Sequence, residues 1–387
     1  MAAGLSQTGL DQLSKTAASH VADDKVPGLV VLIARGKQVH AEAHGTLAIG
    51  GSPVVRDSIF RIASITKPLT GAATLAVIEE GLIGLDEPVD RLLPELSHPR
   101  VLRRVDGQLG DTVAAQRSIT TRDLLTFTFG FGFINEMFMM PGPLPVVTAS
   151  HDLKLSTIGP PDPTVQPPPD EWIAGLGSLP LLAHPGERWM YNTGASVLGV
   201  LLARAAGRSF GEVLRTRLFE PLGMKDTGFW TLEPDRMATA YRSAPDGLVV
   251  WDEPDGAYAR PPAFEDGAGG LVSTADDLLA FAQMLLRGGA PTLSAESARA
   301  MTTDQLTAEQ KARGGLGPDF FATQSWSFCQ AVRNDGAYGW AGGFGSNWHV
   351  DPNNDLVVIS LTQRMHESAA MPPVHGDILD AAYAALA

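Results

Sequence analysis

The sequence has little cysteine, a shortage of positive charge and no long apolar run, and each shortage excludes a class of protein. Cys329 is the single cysteine among 387 residues, which excludes an internal disulfide framework and a cysteine-based zinc site. No stretch approaches the roughly 20 apolar residues of a membrane-spanning helix. The first 20 residues lack the basic and apolar regions of a secretory signal. We therefore expect a cytoplasmic protein with no membrane partner.

Acidic side chains outnumber basic ones by 43 to 29, and the formal net charge at pH 7 is -14. Such a chain repels phosphate backbones, so we expect no nucleic-acid partner. The nine histidines are scattered and have no cysteine partner, so the sequence predicts neither a metal site nor a cofactor. The oligomeric state is left open.

The pattern of apolar residues predicts strands near both ends of the chain and helices beside them. The predicted strands cover 29–34, 38–45, 338–344, 346–350 and 356–362, and the predicted helices cover 10–21, a segment opening near Ser64, and 377–386. Strands grouped in this way indicate one mostly antiparallel sheet, with the first and last helices covering one face. The fold class is therefore α+β, an antiparallel sheet flanked by helices.

The middle of the chain has a different character. Helical patterns at 121–127, 195–206 and 274–286 alternate with long loops, including a segment with six prolines at 159–169. We expect residues 1–79 and 276–387 to form an α/β domain. Residues 80–275 would form an inserted, mostly helical domain, with the active-site cleft between the two.

A serine and a lysine three residues apart, Ser64 and Lys67, form the sharpest local signal. A serine hydroxyl is a weak nucleophile until a neighbouring group accepts its proton. Residues at i and i+3 share one face of a helix, so the amine can lie beside the hydroxyl. The Ser64 N–H at the helix start could also donate to an oxyanion. The alternative is a capped helix with an exposed lysine.

Several further motifs accompany this pair in a fixed order. They are FRIASITKPLT at 60–70, GLIGLDEPV at 81–89, ITTRDLLT at 119–126, PGERWMYN at 185–192 and GGLVSTADD at 269–277. With them, nearly the whole chain resembles the serine β-lactamase-like superfamily, including class C β-lactamases and, more closely, the family VIII carboxylesterases. The resemblance implies a β-lactamase/penicillin-binding-protein-like fold and Ser64 as nucleophile.

The resemblance also makes Tyr191 the second catalytic residue, sharing the Ser64 proton with Lys67. A phenol becomes a usable base only if a cation lowers its pKa, and Lys67 is the expected cation. Thr193 stands where the Y-x-N motif has its asparagine, so Asn192 is a candidate replacement that contacts substrate. The alternative for Tyr191 is a partly buried aromatic with a hydrogen-bonded hydroxyl.

The third motif of the family corresponds to YGWAGG at 338–343. By resemblance, Trp340 takes the place of the lysine that lactamases carry, two residues before Gly342, and both Trp340 and Gly342 are expected to contact substrate. Gly343, on an expected edge strand, would supply a second oxyanion N–H beside that of Ser64. Losing the lysine removes the cation that pairs with a β-lactam carboxylate, which favours neutral esters. The alternative is a glycine bulge in an edge strand.

An apolar segment follows ITTRDLLT, with phenylalanines at alternate positions from 127 to 133 and methionines after it. Phe129, Phe131 and Met137 are predicted to line an acyl or alcohol pocket, because such side chains adapt to varied shapes. The alternative is that they belong to the core of the helical domain. An apolar cleft would also favour an alcohol over water as acyl acceptor.

The sequence therefore predicts a serine carboxylesterase that acts on short-chain esters through a Ser64 acyl-enzyme, with possible acyl transfer to alcohols. Its partners would be a small ester and an alcohol. The first alternative is a β-lactamase or D,D-peptidase, against which the missing lysine and missing export signal argue. The second is a catalytically silent binding protein, against which the intact set of Ser64, Lys67 and Tyr191 argues.

Overall fold

The structure is a computed structural model that describes residues 4–387 with the exception of 141, 158 and 369. The strands are β1 (Gly28–Arg35), β2 (Gln38–Gly45), β3 (Phe60–Arg61), β4 (Arg100–Leu102), β5 (Thr112–Ala114), β6 (Ala240–Ala244), β7 (Gly247–Asp252), β8 (Val272–Ser273), β9 (Gln324–Trp326), β10 (Ala331–Arg333), β11 (Tyr338–Gly342), β12 (Ser346–Asp351) and β13 (Leu356–Thr362). Seven of them form an antiparallel sheet in the order β2-β1-β13-β12-β11-β10-β9. The strands β3 and β8, β4 and β5, and β6 and β7 form three small pairs.

Helices cover this sheet and fill the middle of the chain. They are α1 (Gln7–Ala22), α2 (Thr66–Glu79), α3 (Thr121–Leu125), α4 (Glu136–Met139), α5 (Pro145–Asp152), α6 (Pro169–Gly177), α7 (Thr193–Ala206), α8 (Phe210–Leu214), α9 (Glu220–Leu222), α10 (Ala275–Leu286), α11 (Ala295–Met301), α12 (Ala308–Arg313) and α13 (Pro373–Ala384). The predicted α+β class, an antiparallel sheet flanked by helices, is confirmed.

The strand β1, second from one edge of the sheet, is apolar from Leu29 to Ala34 because both of its faces are buried. Leu29, Val31 and Ile33 pack with α1 and α13 in one core. Val30 and Leu32 point the other way, into the main core, where α10 contacts β1 and β13. A strand covered on both sides shows a continuous apolar run instead of alternation. The prediction that the first and last helices cover one face is correct.

Most predicted elements lie close to the observed ones, but two strands of the seven-stranded sheet and the six strands of the small pairs were not predicted. The predicted strand at 356–362 coincides with β13, whereas α13 begins four residues earlier than predicted, at Pro373. The two missing strands of the main sheet, β9 and β10, have three residues each. Strands so short carry too few residues for an alternating pattern to be recognised.

The middle of the chain contains α3 to α9, and the proline-rich segment before α6 is a loop, as predicted. The division into 1–79 with 276–387 and 80–275 stays a prediction. The helix α2 is the element that positions the candidate site. All its residues from Thr66 to Val77 are buried, and it contacts α7, α8 and α11. A helix enclosed on all sides holds its side chains in fixed positions.

Candidate active site

Ser64 lies in a single 3-10 turn, Ala63–Ile65, between strand β3 and helix α2. The residue before it, Ala63, has a φ of 42°, in the left-handed region that L-residues avoid. Such strain costs of the order of 1–3 kcal/mol and is kept where the surroundings enforce it, often at functional sites. The turn exposes Ser64 to a cleft while the rest of the turn stays buried.

The side chain of Lys67 contacts that serine directly. Its Nζ donates to Ser64 Oγ at 2.9 Å and to the Ala268 carbonyl, and it lies 4.6 Å from the centre of the Tyr191 ring. The side chain is 0% exposed, so the alternative of an exposed lysine is wrong. Burial disfavours the ammonium and lowers the pKa of Lys67 to about 7, although the negative charge of Asp266 opposes this. An amine with this pKa can accept a proton near neutral pH.

Tyr191 reaches the same point from the residues before α7. Its backbone is paired with Phe133 in both directions, by N–H to carbonyl bonds of 2.8 and 3.1 Å. Its hydroxyl accepts a hydrogen bond of 2.6 Å from Trp340 Nε1, and Tyr191 and Ser64 line the same cleft. Both the backbone and the hydroxyl of Tyr191 are therefore held by hydrogen bonds, and the hydroxyl lies beside Ser64 in the cleft.

The prediction that Lys67 lowers the pKa of the Tyr191 phenol is wrong. Loss of water around the phenol raises its pKa to about 12, and the hydrogen bonds from Ser64 and Trp340 offset only part of that rise. Removing water from both groups favours the neutral amine and the neutral phenol alike. Lys67 is thus suited to accept a proton, and Tyr191 is suited to donate one.

Strand β11 passes directly beside the Ser64 turn. A Cβ at Gly342 would lie 2.1 Å from the Ile62 carbonyl oxygen, so only glycine permits this approach. Gly342 thus keeps two backbones close together, and it is Gly343, the next residue, that lines the cleft. Among the described residues, no protein acceptor is found for the N–H of Ser64 or of Gly343.

The expectation that this strand is at an edge needs correction, because β11 lies between β12 and β10. The two residues of β10 that pair with it face only Tyr338 and Gly339. The far half of β11, from Trp340 onward, therefore has no strand partner on that side, because β10 is too short to reach it. The cleft opens there.

The structure separates the predicted pocket residues into two groups. Trp340 and Asn192 line the cleft, and Asn192 has a φ of 86° and donates from Nδ2 to the Thr157 carbonyl. Phe129 and Phe131 do not line it: they are 0% and 2% exposed, in the core. Met137 packs against the same core.

The error about the phenylalanines has a backbone cause. Successive side chains point to opposite faces, and alternate ones share a face, only in a regular strand. This segment contains positive φ angles at Phe127, Gly130 and Gly132. Its side chains therefore follow no strand pattern, and Phe133 alone of the four phenylalanines lines the cleft.

The cleft has a volume of about 1030 Å³, and most of the surface that lines it is apolar. Its large side chains include those of Phe133, Phe320, Trp340, Phe344 and Met365. Within the described part of the chain, no group of histidine, cysteine and acidic residues could hold a metal ion, and no helix is long and apolar enough to cross a membrane.

Asp266 is a buried residue at this site that lies outside all the motifs recognised in the sequence. It is 5% exposed and contributes to the wall of the cleft. Its neighbours Ser196 and Gln166 come from distant parts of the sequence, so no local motif could have indicated its place.

Comparison with known proteins identifies the family. The family model described as Beta-lactamase matches residues 13–383. The chain belongs to the β-lactamase family. This membership and the neighbouring structures confirm the predicted β-lactamase/penicillin-binding-protein-like fold and the resemblance to serine β-lactamase-like enzymes.

Two similar relatives of this β-lactamase-family protein cover most of its length. Esterase EstB of Burkholderia gladioli is 30% identical over 376 residues, which are 90% of this chain and 88% of that one. Protein Rv1367c of Mycobacterium tuberculosis is 36% identical over 332 residues, 81% of this chain and 79% of that one.

A similar solved structure is that of EstCE1, described as a hydrolase with promiscuous acyltransferase activity. It has a TM-score of 0.82 and 26% sequence identity to this protein. The match covers 97% of this chain and 99% of the EstCE1 chain. The esterase side of the superfamily is thus supported by both kinds of comparison.

Proposed function

We propose that this β-lactamase-family protein is a serine carboxylesterase that hydrolyses short-chain esters through an acyl-enzyme on Ser64 and also transfers the acyl group to alcohols. One observation carries the proposal: Ser64 Oγ lies 2.9 Å from a buried amine, in a largely apolar cleft where the indole of Trp340 contacts the catalytic tyrosine. The names of EstB and EstCE1 support the same activity.

In the acylation step, neutral Lys67 accepts the proton of Ser64 while Oγ attacks the ester carbonyl carbon. The N–H groups of Ser64 and Gly343 hold the resulting oxyanion. The carbon–oxygen bond to the alcohol then breaks. The Tyr191 hydroxyl donates its proton to the departing oxygen and is reprotonated by the Lys67 ammonium, which leaves an ester on Ser64 and a free alcohol.

Deacylation repeats these steps in reverse with a new acceptor. Water or an alcohol gives up its proton through Tyr191 to Lys67 and attacks the acyl carbon, and Ser64 Oγ recovers its proton as it leaves. An alcohol with an apolar body gains more than water does from the aromatic lining of the cleft. Acyl transfer is therefore favoured when such an alcohol is present.

The alternative of a β-lactamase or D,D-peptidase fits the cleft less well. An indole stands where the resemblance places the lysine of lactamases, and its N–H is already engaged by Tyr191. The arginine in the cleft wall, Arg333, is paired with Asp335 at 3.1 Å. A substrate carboxylate would therefore find no unpaired lysine or arginine among these residues, and its loss of water would go uncompensated.

The test compares initial rates on p-nitrophenyl butyrate and a chromogenic cephalosporin for wild type and Ser64→Ala. We expect fast ester hydrolysis that falls at least about 10⁴-fold in the variant, and little turnover of the cephalosporin. Adding a small apolar alcohol should produce a new ester at the expense of the free acid. Ester hydrolysis retained by Ser64→Ala would end the mechanism, and faster cephalosporin turnover would end the substrate assignment.

A further inference from the structure

Asp266 has a set of hydrogen bonds that fixes a carboxylate at the base of the cleft. Its Oδ1 accepts from Ser196 Oγ at 2.7 Å and from the Ala268 N–H at 2.8 Å, and its Oδ2 accepts from Gln166 Nε2 at 3.2 Å. The three donors come from α7, from the turn after Asp266 and from the loop before α6. Bonds from three directions stabilise a negative charge at one place.

The turn that Asp266 begins is the one that holds the lysine. The Ala268 N–H donates to Asp266, and the Ala268 carbonyl accepts from Lys67 Nζ. The carbonyl of Gly267 accepts from Thr70 Oγ1 at 2.8 Å, one helical turn further along α2. A Cβ at Gly267 would lie 2.4 Å from the Ala195 carbonyl oxygen. The turn is therefore held tightly between α2 and α7.

Three titratable groups act on Lys67 from the elements around it. Tyr191 lies before α7, Cys329 lies between β9 and β10, and Asp266 lies before β8. Burial raises the pKa of the Cys329 thiol and the pKa of the Tyr191 phenol, so both groups are neutral when the enzyme works. Asp266 is then the group that supplies negative charge, and it also acts on the buried Tyr258 hydroxyl.

We propose that Asp266 is a positioning residue that prepares Lys67 to take the Ser64 proton, by fixing the Ala268 carbonyl and by setting a carboxylate charge behind the ammonium that forms. Coulomb attraction in a buried site favours the protonated lysine. Without it, burial alone would make Lys67 too weak a base. This inference rests on the proposed role of Lys67 as the base in ester hydrolysis.

The first test is the pH profile of kcat/KM on p-nitrophenyl butyrate for wild type, Asp266→Asn and Ser196→Ala. In wild type, activity falls as pH drops through the pKa of Lys67, because the protonated amine accepts no proton. Asp266→Asn keeps the shape and removes the charge, so this acid limb should move down by about one pH unit and the plateau should fall about tenfold. Ser196→Ala removes a neutral hydrogen bond and should leave the limb in place.

A purely structural role for Asp266 predicts a different result. The plateau of Asp266→Asn would then fall while the acid limb stayed at the wild-type pH, and that result, or a limb moved upward, overturns the proposal.

A second variant covers the case in which Asp266→Asn does not fold. Gln166→Lys leaves Asp266 intact and places a cation beside its Oδ2, which cancels part of its field at Lys67. Its acid limb should lie below that of Gln166→Met, which has a neutral side chain of similar length. If the acid limbs of Gln166→Lys and Gln166→Met lie at the same pH, the proposal is overturned.

One further variant separates this inference from the function on which it rests. If Lys67→Met hydrolyses the ester at the wild-type rate, the proposed role of the lysine fails. If Lys67→Met is inactive while the limbs of the Asp266 and Gln166 variants do not move, the lysine is the base and Asp266 does not prepare it.

Discussion

Two groups of titratable side chains lie near the seven-stranded sheet, and burial has different consequences for them. In the active-site group, Lys67, Tyr191 and Asp266 all have hydrogen-bond partners. Burial disfavours the charged forms of these side chains, and their hydrogen bonds offset part of that cost. The lysine keeps a pKa of about 7, and such a group can exchange a proton in the working range of the enzyme.

The histidine group, His20, His366 and His375, lies between α1, the end of β13 and α13. His375 Nδ1 lies 2.7 Å from Ser360 Oγ. Within the described residues, one buried ring nitrogen of each of the three histidines has no hydrogen-bond partner. Burial lowers the pKa of His366 to about 4 and that of His375 to about 3. Burial therefore has different consequences in the two groups. It brings the pKa of Lys67 into the neutral range, where the amine can accept a proton. It keeps His366 and His375 neutral far below pH 6.5, so we expect the fold to lose stability in acid.

The largest effect is expected from breaking the active-site group at its centre. Lys67→Met fills the same space without a base, so kcat on p-nitrophenyl butyrate should fall about 10³-fold or more. Circular dichroism should show an unchanged fold. Lys15→Met, which alters an exposed lysine of α1, is the control and should keep the wild-type rate. A Lys67→Met enzyme within tenfold of wild type would contradict the comparison.

The histidine group predicts a loss of stability in acid. The unfolded chain takes up protons on His366 and His375 near pH 6.5, whereas the folded chain resists until about pH 4 and pH 3, respectively. The unfolded state therefore binds more protons between these values, and the free energy of unfolding falls as pH falls. The loss from His375 alone should be about 2–3 kcal/mol at pH 4.5, measured by urea unfolding at pH 7.5 and 4.5.

A glutamine at position 375 keeps a side chain that can bond to Ser360 and does not titrate. His375→Gln should therefore lose less stability between pH 7.5 and 4.5 than wild type does. His151→Gln is the matched control, because His151 is 90% exposed and should leave the pH dependence unchanged. If the free energy of unfolding fell equally between pH 7.5 and 4.5 in wild type and His375→Gln, His375 would not be a cause of the acid sensitivity.

The smallest effect is expected from a substitution that removes one hydrogen bond from the active-site group. Trp340→Phe keeps an aromatic wall but deletes the N–H that donates to Tyr191, so kcat should fall about tenfold with little change in KM. Trp251→Phe, at an exposed tryptophan of β7, should leave both constants unchanged. An unchanged kcat in Trp340→Phe would mean that the phenol needs no partner to hold its position.

Local patterns predicted the strands at both ends of the chain and the contact between Ser64 and Lys67, because each depends on a short stretch of sequence. The apolar run of β1 and the spacing of Ser64 and Lys67 each occupy a few consecutive residues. Phe129 and Phe131 were misplaced because their orientation depends on φ angles that alternation does not record. Their burial was the alternative that the sequence left open.

Properties that arise from long-range contacts could not be predicted. The pKa of Tyr191 depends on how much water the folded chain excludes from it, and composition does not reveal that. Asp266 acquires its place from Ser196 and Gln166, which are 70 and 100 residues away in the sequence. A sequence shows that an acid is present, but its neighbours are known only once the chain has folded.

The pairing of β1 with β13 has a consequence for synthesis of the protein. Leu29 pairs with Thr362 and Arg35 with Leu356, so the first strand meets its partner only after more than 300 further residues are made. At about 5–20 residues per second, the ribosome needs roughly 15–60 s for that interval. During it, one edge of β1 and its apolar faces are unprotected, which invites chaperone binding or aggregation. A nonsense mutation before β13 would separate β1 from β12 and leave the nascent sheet in two pieces.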